Sequence, residues 1–291
     1  MTTGALTDFE THRGRMFGIA YRMLGSASEA EDIVQDAWLR WQTVTDEVEN
    51  PAAYLATITT RLSLTALDSA RARRETYIGP WLPEPVSTEH DPLLGAERAE
   101  ALSLAVLLLL ERLTAAERAA YVLREAFDYS FRDIAKVLQT SEANARQLAT
   151  RARAHIDSSR GKAVTGAERE RLLGAFVAAA QTGEVEQLEA LLTADVRSLS
   201  DGGGIVHAAR KPVLGRENVA RYLLGVLHKF ASDLVPVPVS ANGELALLGL
   251  RNGTPEALLT LDGTADGVTT VLTVLNPHKL SQFEGLSGLS S

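Results

Sequence analysis

The stretch "SFRDIAKVLQTSEANARQLATRARAHI", Ser130 to Ile156, carries the pattern that decides the fold. Ile134, Ala135 and Leu138 recur at helical spacing and give one apolar face to a short helix. "QTS" breaks the pattern, and Ser141 is placed to cap a second helix with its hydroxyl. Ala145 and Leu148 bring that helix back to the same core. Ala135 has to be small if the second helix crosses close above it, which is the requirement of a helix-turn-helix. Gln139 stands where such a turn often carries glycine. The pattern leaves Glu142, Asn144, Arg146 and Gln147 exposed early on the second helix, where a recognition helix meets base edges. Arginine and the carboxamides have the paired donors and acceptors that match guanine and adenine. Arg151, Arg153 and His155 follow at positions suited to phosphate. A plain helical hairpin with a basic last turn shows the same apolar spacing, so the surroundings have to decide.

Those surroundings are segregated in charge. The 291 residues carry a net charge of −8, which by itself argues against a nucleic-acid partner. Between Glu29 and Glu49, however, seven acids face a single arginine, Arg40. From Arg146 to Lys162 there are five Lys/Arg against one acid, Asp157, and from Arg71 to Arg74 three arginines and no acid. Such a chain offers an acidic face to one partner and basic faces to another, although solvated helix faces explain any one cluster equally well. The absence of cysteine excludes disulfides, thiol catalysis and thiolate zinc sites, and no cofactor or metal motif is present. The longest apolar run, "LAVLLLL", is too short to span a bilayer, and the first thirty residues lack a secretory pattern. A cytoplasmic protein without membrane attachment is expected.

Helical periodicity dominates the first 160 residues. Phe17, Ala20, Tyr21 and Leu24 form one apolar stripe, and Ile33, Val34, Ala37, Trp38 and Trp41 a second. Behind Pro51 a further helix should turn Tyr54, Leu55, Ile58 and Leu62 inward. "YIGPWLPEPV", Tyr77 to Val86, packs three prolines around a tryptophan and reads as a stiff, extended connector. A second helical group is expected from about Leu93 to Ser159. Beyond it come two amphipathic helices, then "DVRSLSDGGGIVHAA", which reads as a hairpin turning on its glycines. A helix over "GRENVARYLLGVLHKF" and four strands separated by Asn242-Gly243, Asn252-Gly253 and "DGTADG" complete the chain. The expected architecture is two all-α modules followed by an α+β domain. Boundaries fall at 1–76, a linker over 77–92, 93–160, and 165–291.

"AEDIVQDAWLRW" (Ala30 to Trp41), "NPAAYLATITTRL" and the helix-turn-helix together resemble regions 2 and 4 of an extracytoplasmic-function sigma factor, in that family's order and spacing. "WLPEP", "DGGG" (Asp201 to Gly204) and "NPHKL" (Asn276 to Leu280) look like the signature of one subclass, the sigma-J type, in which a SnoaL-like domain of NTF2-like fold follows region 4. His278 stands where that last motif usually carries an acid. The resemblance implies a protein that directs core RNA polymerase to promoter DNA. It implies that Asp32, Gln35, Asp36 and Trp38 dock on the polymerase clamp helices. It also implies that Arg61, Arg71, Arg73 and Arg74 grip the upper promoter element and its melted strand. The helix-turn-helix, through Ser141, Asn144, Arg146, Gln147, Arg151 and Arg153, would read the upstream element as duplex.

The third domain admits two readings. SnoaL-type relatives include cyclases and isomerases with Asp/His acid–base pairs, and Asp201, His207 and His278 are candidates here. Three consecutive glycines permit close backbone approach, which favours a contact surface over a catalytic loop. On that reading Trp81, Leu82, Pro83, Glu84 and Pro85 are held against Asp201, Gly202, Gly203, Gly204 and against Asn276, Pro277, His278, Lys279, Leu280. Burial of Trp81 and the polar groups of Asp201 and Asn276 would supply the hold, and proline stiffness would lower its entropic cost. The domain would then replace a separate anti-sigma protein, and its cone could hold a small ligand. A one-component ligand-sensing DNA-binding regulator and a cyclase with a vestigial DNA module are the alternatives.

Overall fold

Serine, asparagine and threonine caps punctuate the helices of the computed structural model, which describes residues 3–44, 48–89, 102–160 and 165–284. Two compact units result: Met1–Thr76 with Asp91–Ser159, and Tyr77–His90 with Arg160–Ser291. The connector therefore belongs to the second unit, and its end at 90–92 lies outside the described residues, as does the expected helical start over 93–101.

In the first unit α1 (Thr3–Leu24) and α2 (Ala27–Gln42) reverse through Gly25, whose φ of 67° glycine adopts without cost. α3 (Pro51–Glu75) starts with proline in its first turn and with Asn50 accepting from Ala53 N at 3.0 Å. Ile19, Tyr21, Met23, Ile33, Ala37, Trp41, Leu55 and Leu67 form its core. The inner face of α3 departs from the expected stripe. Tyr54 is exposed, while Thr59, Thr60 and Ser63 are fully buried, each hydroxyl donating to the carbonyl four residues back. Back-bonding satisfies these small polar groups inside the helix itself, so an apolar count does not find them.

α4 (Leu104–Leu110) and α5 (Ala115–Tyr121) follow, the latter opened by a Thr114–Glu117 capping box and running into a π-helical turn at Val122–Ala126. α6 (Phe131–Leu138) and α7 (Glu142–Arg160) form the helix-turn-helix around Ile134, Ala135, Ala145 and Leu148. Gln139 terminates α6 in the left-handed region at φ 53°, ψ 49°, where glycine would sit without strain.

The second unit contains α8 (Gly166–Thr182), α9 (Val185–Leu191) and α10 (Arg216–Phe230) with a six-stranded sheet. The strands are β1 (Leu192–Asp201), β2 (Val213–Leu214), β3 (Val235–Ala241), β4 (Glu244–Arg251), β5 (Thr254–Thr264) and β6 (Gly267–Val274), in the order β2-β1-β6-β5-β4-β3. Among the described strands only the β1–β6 pairing is parallel. Leu173, Phe176, Leu188, Val196, Val219, Leu261 and Val271 fill the space between helices and sheet. Asn242-Gly243 and Asn252-Gly253 take positive φ at both residues, the requirement of a two-residue hairpin turn. Edge strand β3 carries Pro236 and Pro238.

The hairpin expected on the glycines is not formed as such. After Asp201 the chain turns tightly, Ile205 and Val206 N both donating to Gly202 O, and only Val213–Leu214 returns to pair with β1. The intervening residues are held as a loop rather than a strand. Among the described residues no helix is long and apolar enough to cross a membrane.

Candidate functional site

Asp32, Gln35 and Asp36 stand exposed on α2, and Leu39, three to seven residues on, joins their face with 60% of its surface open to solvent. Trp38 turns away: it is half-buried with its ring 4.6 Å from Phe9. An acidic stripe ending in an exposed leucine suits a basic partner that also buries apolar surface.

The arginines of α3 meet the helices of the helix-turn-helix half. Arg61 donates to Val137 O (3.1 Å) and Lys136 O (3.2 Å), the carbonyls ending α6. Arg71 donates to Leu113 O at 2.6 Å. Arg74 pairs with Glu111 and also donates to Leu24 O, while Arg73 pairs with Glu29 on α2. Arg118, 1% exposed, donates to Glu111 and to Met23 O, both at 2.7 Å. Two guanidinium groups thus share one carboxylate and the last carbonyls of α1, where the helix dipole favours cations. Burial pulls Arg118 down from the usual guanidinium value, and Glu111 opposes that pull. Arg15 completes the clasp, donating to Phe127 O at 3.1 Å and lying over the Phe127 and Tyr129 rings.

On the helix-turn-helix, Ser141 accepts from Asn144 N at 3.2 Å and so caps α7. Asn144 donates to Thr140 Oγ1 at 2.8 Å, Arg146 pairs with Glu142 at 3.3 Å, and Gln147 is exposed beside them. Arg151 and Arg153 pair with Glu117 and Glu125, both at 3.0 Å. Such exposed pairs hold about 0–1 kcal/mol each, so phosphates can replace their carboxylates.

In the second unit the linker is gripped at both ends. Asp201, 0% exposed, accepts from Tyr77 OH (2.6 Å) and Gly203 N (3.1 Å) on one oxygen. The other oxygen accepts from Leu82 N (2.9 Å) and Lys279 Nζ (2.7 Å). Lys279 also donates to Leu82 O, and its Nζ lies 4.5 Å from the Trp81 ring centroid. Asn276 donates to Tyr77 OH at 2.9 Å and caps the turn at Pro277–Lys279 by accepting from His278 N. The anchor is Leu82, wholly buried, rather than Trp81, which is half-buried under the ammonium; a buried leucine contributes about 2 kcal/mol. A Cβ on Gly203 would lie 2.4 Å from Asn276 Nδ2, and one on Gly204 2.9 Å from Ile78. The glycines therefore admit the linker. At its far end Val86 N donates to Asn242 Oδ1 (3.0 Å), Asn242 N to Val86 O (2.9 Å), and Thr88 N to Ser240 O (3.0 Å). The linker so continues the sheet beyond β3. With both oxygens of Asp201 engaged, and neither His207 nor His278 bonded to it among the described residues, no acid–base pair is assembled there.

Burial first, and then the bond to Asp201, raise the Tyr77 phenol above its ordinary value of 10.0. Its contribution is therefore complete below about pH 10 and is lost as pH rises from there through the higher folded value. In an absorbance titration the wild type should show one late-ionising tyrosine that Tyr77→Phe lacks. Identical titrations would contradict the bonding.

Residues 9–73 match the model of sigma-70 region 2, and residues 103–156 match that of sigma-70 region 4. Over 248 residues, 82% of this chain and 79% of the relative, the sequence is 39% identical to the ECF RNA polymerase sigma factor SigJ of Mycobacterium tuberculosis. The chain belongs to the ECF sigma factors. A probable ECF RNA polymerase sigma factor of the same organism, SigI, is 31% identical over 286 residues, 96% of each chain. The crystal structure of the M. tuberculosis SigJ protein matches with a TM-score of 0.77 at 32% identity, covering 95% of this chain and 98% of that one.

The protein is thus a sigma factor, with helical regions 2 and 4 followed by a C-terminal domain of helices and a six-stranded sheet. As such it binds core RNA polymerase and promoter DNA and directs transcription initiation. Of the residues singled out in the sequence, the α2 acids and the α7 polar face lie open, whereas Arg61, Arg71 and Arg74 bond region 4. Sequence reasoning missed Leu39, Glu111, Arg118, Tyr77 and Asn242. Leu39 was detectable as the residue seven beyond Asp32 on one helix face. Nothing local marks Tyr77, Glu111 or Asn242 as site residues, since Asp201, Arg74 and Val86 lie far off in sequence; Arg118 stands seven residues from Glu111, but its other partner, Met23 O, is equally remote.

Proposed function

We propose that the free sigma factor is held closed by its own arginines and that its C-terminal domain regulates it by gripping the linker. Asp32, Gln35, Asp36 and Leu39 dock on the polymerase clamp helices, with Trp38 supporting α2 from behind. Arg61, Arg71, Arg73 and Arg74 exchange their internal acceptors for promoter phosphates and melted bases once regions 2 and 4 part. Ser141, Asn144, Arg146, Gln147, Arg151 and Arg153 engage the upstream duplex. The observation that carries the regulatory part is Asp201, fully buried with both oxygens engaged and bonding the linker at Tyr77 and Leu82.

While gripped, the stretch from Tyr77 to Glu89 cannot lengthen; released, it would reach about 45 Å. The domain thereby sets the span between the two DNA-binding regions and takes the place of a separate anti-sigma protein, in the cytoplasm where polymerase works. Docking is tested by pull-down with core polymerase and run-off transcription. Asp32→Lys with Asp36→Lys should cut both association and transcripts at least tenfold. Unchanged association in that double variant would remove α2 as the docking face.

A further inference from the structure

We infer that Phe131 is a positioning residue for base reading, holding the Arg146 guanidinium ready on the recognition helix. The inference rests on the reading of α7 as the helix that meets promoter base edges. Phe131 opens α6 and is half-buried, outside the helix that would touch DNA. The Arg146 Cζ lies 4.6 Å from the centroid of its ring. A ring attracts the charge without consuming an N–H, so the donors that would pair with guanine O6 and N7 stay available.

Without the ring Arg146 keeps, among the described residues, the pair with Glu142, in which its side chain is 61% exposed. A pair so open to water fixes a long side chain poorly. Arginine has much rotamer freedom to lose on binding, and the ring removes part of that loss beforehand. Arg124 also approaches this ring, 5.1 Å from its centroid, but has separate anchors in Tyr129 O at 3.0 Å and Asp128 at 3.4 Å. Of the two cations, Arg146 is the one whose placement the ring decides.

The test measures holoenzyme binding to a panel of promoter duplexes in which each base pair of the upstream element is changed in turn. Arg146→Ala should erase discrimination at one position. Phe131→Leu and Phe131→Met should weaken discrimination at that same position about two- to fivefold, and Phe131→Tyr should restore it. The salt dependence of binding should be the same in all, because no phosphate contact is altered. Two apolar replacements guard against one failing to fold, which a melting curve of each checks. If Arg146→Ala loses discrimination while both apolar variants keep it, the positioning role is overturned and the reading of α7 survives. If Arg146→Ala changes no position, the reading of α7 falls and the inference falls with it.

Discussion

Asp201→Ala unfolds the second unit at markedly lower denaturant, by about 3–5 kcal/mol, the range for removing one partner of a buried ion pair. The substitution leaves the Tyr77 hydroxyl and the amides of Leu82 and Gly203 without this acceptor, and the Lys279 ammonium without its counter-charge. Each of those groups was desolvated on the expectation of a carboxylate, so the loss exceeds that of a single hydrogen bond. The linker should become the first site of proteolytic cleavage, since Leu82 is held at its amide by Asp201 and at its carbonyl by Lys279. Adding Lys279→Met should recover part of the loss by removing the stranded charge. Urea denaturation of the three proteins decides; coincident transitions for wild type and Asp201→Ala would show that the buried carboxylate does not hold the linker.

Glu111→Ala should destabilise the first unit by a comparable amount, about 3–5 kcal/mol. Arg74 and Arg118 would then face each other across the vacated carboxylate, like charges in a site that water barely reaches. The effect should extend beyond stability. Once regions 2 and 4 loosen, Arg61 and Arg71 lose the carbonyls that occupy them, and the variant should bind promoter duplex without polymerase more tightly than wild type at low salt. Thermal melting and a fluorescence binding curve measure the two effects. A variant that melts early yet binds DNA no better would separate the clasp from any control of DNA access.

Much of the fold is written in local pattern. The Asn-Gly pairs at 242 and 252 mark their hairpins because few other residues take positive φ twice in succession. Ala135, Ser141 and Ala145 mark the helix-turn-helix because the crossing demands small residues and the second helix demands a cap. The polar determinants were legible as residue types but not as partnerships. An arginine in a sequence does not say whether it will meet a phosphate or a carbonyl, and Arg61, Arg71 and Arg74 meet carbonyls or Glu111. Asp201 bonds residues 124, 119 and 78 positions away, separations at which no helical or strand period operates. Trp81 is the larger side chain, yet its indole face lies against the Lys279 ammonium and stays half-buried, while Leu82 is wholly buried.

The prolines of β3 govern the fate of that sheet edge once the grip lets go. Ser240 offers its amide to Glu89 and its carbonyl to Thr88, so this alternation points away from β4. Pro236 and Pro238 share that parity and offer no amide there. A bared rim of this kind offers a stray strand few amides to bond, which lowers the tendency of the edge to seed aggregates when the tether departs.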